Sequence, residues 1–123
     1  MAELEGRFAL AQPILKDSYE GTARVTAKNE NYVVARKKAV SLAMKDAMSL
    51  AFKDLIDEEE FAANQTDLNN IIRRASRYVK SYRYLQALDD LEGKAGEVVL
   101  EVRFFPGAVS QALAAMGIIA GPV

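Results

Sequence analysis

Two groups of side chains in this sequence are of a type and spacing that could do chemistry. The first is acidic: Asp54 stands three residues before Asp57, which opens the run Asp57, Glu58, Glu59, Glu60. Paired carboxylates can act as general acid and base, and an enzyme built on Asp54 and Asp57 would need a pocket around both. A calcium loop needs oxygen ligands spaced about a sharp glycine turn. These acids are contiguous with no glycine among them, so the run reads as a solvated linker.

The second group is basic and aromatic. Arg73, Arg74, Arg77, Lys80 and Arg83 are interleaved with Tyr78, Tyr82 and Tyr84. Positive charge beside aromatic rings is what single-stranded nucleic acid binding uses, charges tracking phosphates while rings stack on bases. Against that reading, the charges pass from a helix to a strand partway, and no RNA-binding signature accompanies them. Tyrosines on a strand more often pack at a core or its rim.

Composition narrows the chemistry further. With no His and no Cys in 123 residues, a Ser–His pair, a His-ligated zinc and thiol chemistry are excluded. No Gly-rich turn meets a helix start with the Lys that a phosphate loop requires. We therefore expect no catalytic residue, no cofactor and no metal site. A net charge of −1 gives no global attraction to nucleic acid or an anionic membrane. No apolar run approaches the length that crosses a bilayer, and the apolar stretch at 8–15, interrupted by Gln12 and Pro13, is not a signal peptide.

The elements that must position these residues are organised by one stretch, NYVVARKKAVSLAMKDAMSLAFKDLI, at 31–56. At 100° per residue, Val33, Val40, Ala43, Met44, Ala47, Met48, Ala51 and Leu55 share one arc, opposite Lys38, Ser41, Lys45, Ser49 and Lys53. That predicts a long helix with one buried face, started by Asn29 or Asn31 as cap. Alanine recurs at every fourth position, Ala35, Ala39, Ala43, Ala47 and Ala51. Such a stripe lets another backbone approach closely, and a β-sheet is the expected partner. Arg36 projects into the buried arc and is expected to be structural, either covering the core with its stem or pairing with a carboxylate.

Around this helix the pattern predicts a strand at 19–27, a short helix at 66–75, strands at 78–88 and 97–105 forming an antiparallel hairpin, and a helix at 108–116 closed by Gly117. The expectation is an α+β, two-layer domain over 19–117: a small antiparallel sheet of three strands, four if 7–12 adds an edge strand, packed against one long helix, in the order β-α-α-β-β-α. Residues 1–18 form an N-terminal segment and 118–123 a tail. If one helix covers one sheet face, the other is a docking surface; the candidate interaction surface is Arg24, Tyr82, Tyr84, Glu101 and Arg103, together with Thr22, Thr26 and Val99.

Two stretches, EGTARVTAKNENYVVARKKAVSLAMKDAM and YVKSYRYLQALDDLEGKAGEVVLEVRFF, resemble the N-terminal domain of flagellar assembly protein T and related bacterial envelope lipoproteins. The matching parts are the first strand, the Ala35-Arg36 pair, the spacing from Ala39 through Ala43 to Ala47, and the SYRYL strand with its hairpin. The resemblance implies a non-enzymatic assembly domain, periplasmic or outer-membrane associated, that works by contact with a protein partner or with itself. It offers no catalytic residues to carry over. This chain shows neither the further domains of a full flagellar protein nor a lipidation Cys, which sets a motor role apart from the fold. The alternative is a cytoplasmic nucleic-acid-binding module using the basic cluster.

Overall fold

The computed structural model of the chain describes residues 15–118. Its elements run β1 (Tyr19–Thr26), α1 (Tyr32–Leu55), α2 (Glu58–Ala63), α3 (Gln65–Ile72), β2 (Val79–Asp90), β3 (Ala95–Phe104) and α4 (Pro106–Ala115), with single 3-10 turns at Lys28–Glu30 and Ala75–Tyr78. The three strands form one antiparallel sheet in the order β1-β3-β2, with α1 packed against it, so the fold is the expected two-layer α+β arrangement. The expected edge strand at 7–12 lies outside the described residues.

Helix α1 starts where Asn31 accepts a hydrogen bond from the Val34 amide at 3.2 Å. Ala35, Ala39, Ala43, Ala47 and Ala51 are all buried. The small residues are matched beneath by glycines. A Cβ on Gly21 would enter the Ala43 carbonyl, and one on Gly96 would lie 3.3 Å from the Ala35 Cβ. Strands β1 and β3 thus meet the helix backbone almost directly, and methyl groups rather than long side chains fill the seam. Larger side chains, Met48, Phe52, Leu68, Leu100 and Leu113, complete the core.

Strand β3 is the centre of the sheet and the clearest case of period-two patterning. Val98, Leu100, Val102 and Phe104 are buried under α1, while Arg103 on the other face is exposed. At its end Pro106 occupies the first turn of α4, where its missing N–H leaves no bond unmade. Gly117, at φ 81°, ends α4: its amide donates to the Ala114 carbonyl at 2.9 Å and the Ile118 amide to Leu113 at 2.9 Å, the left-handed closure that favours glycine.

Four local expectations are corrected. The acidic run is not a linker: Asp57 Oδ1 accepts from the Glu60 amide at 2.8 Å, capping α2, and Glu58, Glu59 and Glu60 fill its first turn. Carboxylates there complement the positive end of the helix dipole. Val33 is not core but 58 % exposed, because the buried face of α1 follows the alanine stripe, which places Ala35 rather than Val33 over the sheet. The short helix stops at Ile72 rather than at 75, and a 3-10 turn carries the chain into β2. Ile118 belongs to the core rather than to a tail, being 2 % exposed.

Candidate interaction surface

The two edges of the sheet are treated differently. At β1 the long helix crosses closely over Gly21, and the Thr22 amide, not used by the sheet, donates to Asp46 Oδ2 of α1 at 2.9 Å. At β2 nothing comparable lies alongside among the described residues. Every residue from Lys80 to Leu88 is exposed, and the strand carries Tyr82, Tyr84, Leu85 and Leu88, each more than 40 % exposed. An edge strand presents a row of unpaired N–H and C=O groups. Here that row spans a strand of twelve residues.

Register decides which way the β2 side chains face. Tyr82 pairs with Val102, Tyr84 with Leu100 and Ala87 with Val98, while Arg83 pairs with Glu101 and Leu88 with Glu97. Directly opposed residues share a face of the sheet. Tyr82, Tyr84 and Ala87 therefore lie on the side covered by α1, and Arg83 and Leu88 on the open side. The register slips twice, between Val79 and Ser81 and between Tyr84 and Gln86. Leu85 is the extra residue of the second slip: it shifts the alternation by one, so that Tyr84 and Ala87, three residues apart, face the same side.

On the helix side, α1 stops short of β2 and leaves a groove of about 290 Å³ lined by Val33, Arg36, Lys37, Val40, Tyr82 and Tyr84. The two tyrosine rings stand edge to face, centroids 6.1 Å apart at 74°. Arg36 closes one end by a two-point contact with Asp89, Nη2 to Oδ2 at 2.7 Å and Nε to Oδ1 at 3.3 Å. This is the carboxylate partner that its place on the helix calls for. It ties α1 to β2, the one described strand that carries no glycine beneath the alanine stripe.

The open side is charged and internally paired. Arg24 bridges Asp90, at 2.9 Å, and Glu97, and Arg83 Nε donates to Glu101 Oε1 at 2.7 Å. The Gly93 amide and then Arg24 hold the Asp90 carboxyl below the usual carboxylate range, and Arg83 does the same for Glu101. Such a face keeps its polar groups satisfied in water. The five residues expected to form one surface are thus divided: Arg24, Glu101 and Arg103 lie on the open face, whereas Tyr82 and Tyr84 flank the groove on the other. Alternation alone could not place the tyrosines, because the irregular pairing at Lys80 and Leu85 interrupts it.

The basic cluster is also spread out. Arg73 is bonded to Asn70, Arg83 to Glu101, and Arg74, Arg77 and Lys80 are exposed along the path from α3 through the 3-10 turn into β2. The two candidate acids do not converge. Asp54 accepts from the Tyr19 hydroxyl at 2.8 Å and lies 3.8 Å from Lys16 Nζ, while Asp57 is the α2 cap. A hollow of about 480 Å³ beside α2 is lined by Asp57, Glu58, Lys53, Ile56, Phe61 and Gln65 but not by Asp54. Among the described residues no three acidic side chains come together as a metal site, and no helix is long and apolar enough to cross a membrane.

Among the described residues, fold and surface together define a small two-layer α+β domain whose β1 edge is engaged by α1 at Thr22 and whose β2 edge is unpaired. Comparison with protein-family models, with curated proteins and with solved structures finds no match to this chain.

Proposed function

We propose that this domain is a non-enzymatic assembly module of the bacterial envelope, periplasmic or outer-membrane associated, that binds protein through β2 and its flanking groove. The observation that carries the binding is the twelve-residue edge with exposed Tyr82, Tyr84, Leu85 and Leu88. Backbone groups on such an edge supply affinity to an added strand, and alternate side chains supply selectivity. The compartment, and the kinship with flagellar assembly proteins, come from the sequence resemblance. Fractionation of the natural host with N-terminal sequencing of the endogenous protein tests the compartment: a processed N-terminus in the periplasm or outer membrane supports it, and an unprocessed cytoplasmic protein overturns it.

A second reading, single-stranded RNA binding, is favoured by exposed Arg74, Arg77 and Lys80, which have no carboxylate partner among the described residues. It predicts salt-dependent RNA binding that Arg74→Ala with Arg77→Ala weakens. The envelope reading predicts no specific binding in the same electrophoretic titration.

A further inference from the structure

We propose that the occupant of the β2 edge is a second copy of this chain, paired antiparallel about a two-fold axis between Leu85 and Gln86, which turns two three-stranded sheets into one of six. The inference rests on the reading of β2 as the working surface and adds the partner and the register.

In an antiparallel pair, directly opposed residues lie on one side of the sheet, so a two-fold pairing of β2 with itself must match helix-side residues to helix-side residues. From Ser81 to Asp90, the span beyond the first slip, the helix-side set is Tyr82, Tyr84, Ala87 and Asp89, from their partners Val102, Leu100, Val98 and Gly96 on β3. An unbroken strand satisfies this condition in many registers. The slip at Leu85 reverses the alternation halfway along, and the helix-side set then maps onto itself only when Tyr82 opposes Asp89 and Tyr84 opposes Ala87 of the second copy. The same register opposes Arg83 and Leu88 on the open side. The irregularity that would hinder pairing with an arbitrary strand thus selects one register with the strand's own copy.

Charge agrees with this direction. Lys80 and Arg83 lie in the first half of β2, Asp89 and Asp90 at its end. Antiparallel pairing brings each basic half beside an acidic end, with Lys80 one step from Asp90 of the second copy; parallel pairing would set like charges together, which is unfavourable. The axis also brings the exposed Leu85 of each chain close to its mate. An isologous contact of this kind closes at two subunits, so it does not continue into a fibre.

The test uses the full chain, which contains no Cys, so introduced thiols report alone. Arg83→Cys and Leu88→Cys are made as separate proteins, both at exposed positions. Opposed residues have Cα atoms about 4.5–5.5 Å apart, within disulfide reach. Two copies of Arg83→Cys would hold their thiols about 17 Å apart, five residues along the strand. A one-to-one mixture is expected to cross-link on mild oxidation while neither protein does so alone. Light scattering of the unmodified chain is expected to show a concentration-dependent dimer, which Leu85→Lys weakens at least tenfold without changing the circular dichroism spectrum. A monomer up to millimolar concentration overturns the inference, as does a dimer whose mixture fails to cross-link. Either result leaves protein binding at β2 open to its own test in cells: capture of a different protein there retains the proposed function, and capture of none removes both.

Discussion

Gly21→Ala tests the central packing feature of the fold. A Cβ at position 21 would overlap the Ala43 carbonyl oxygen and fall 2.9 Å from its carbon and 3.0 Å from the Ala47 nitrogen. All three obstacles are helix backbone, so no rotamer change relieves them. Strand and helix must separate along the seam where Ala43 and Ala47 are wholly buried. Overpacking in a filled core costs about 1–3 kcal/mol, and displacement of backbone puts this case at the upper end, about 3 kcal/mol. Replacing glycine returns about 0.4–1 kcal/mol by restricting the unfolded chain, leaving about 2 kcal/mol or more. With a urea slope of about 2 kcal/mol per molar, the midpoint should fall by about 1 M. Gly96→Ala is the internal comparison. Its nearest obstacles lie at 3.3 Å, the Ala35 Cβ and the Arg36 nitrogen, and its loss should be less than half as large. An unchanged midpoint for Gly21→Ala, or a larger loss at Gly96, would refute the close approach of α1 to β1.

Three further outcomes follow from the polar contacts. Burial, together with the Asp54 carboxylate beside it, pushes the Tyr19 hydroxyl up to about 12 although the Lys16 amide pulls the other way. The folded protein therefore holds this proton more tightly than the unfolded chain, whose tyrosine titrates near 10; the stabilisation is whole below pH 10 and is lost as pH rises towards 12, and ultraviolet titration should lose its latest phenolate step in Tyr19→Phe. Asp90 titrates below the ordinary carboxylate range, first through the Gly93 amide and then through Arg24. Its contribution is present above the unfolded pKa and lost as pH falls through the folded one, and an NMR titration of Arg24→Ala should show Asp90 moving only part of the way back. Asp57→Ala removes the α2 cap and should cost about 1 kcal/mol, read as a lower urea midpoint.

What was legible in the sequence depended on how local the signal was. The alanine spacing and the Asn31 cap fixed α1, and uninterrupted alternation fixed β3, because each pattern lies within one element. Arg36 was legible as a misplaced charge; its partner Asp89 was not, being 53 residues away. Two signals were present but unused. Asp57 with Glu60 three residues later is a helix-start pattern, and it marks α2 where contiguous acids suggested a linker. Gly21 inside a strand pattern marks close approach of another backbone, which would have located the crossing of α1. The candidate surface was the least legible part. The side taken by Tyr82 and Tyr84 is set by pairing with β3 and by the slips at Lys80 and Leu85, and no count along β2 alone contains them. Exposure of β2 likewise follows from where α1 ends its reach across the sheet, a property of packing rather than of the strand.

The claim that binding passes through the β2 edge is tested most directly by photo-cross-linking in the natural host. A photoreactive residue is placed at Leu85 or Leu88, both exposed on β2, and for comparison at Thr22 or Thr26, both exposed on β1. Discrete protein adducts are expected from the β2 positions, lost when Tyr84→Ala is added, and none from the β1 positions. Equal labelling at both edges, or adducts from β1 alone, would contradict it.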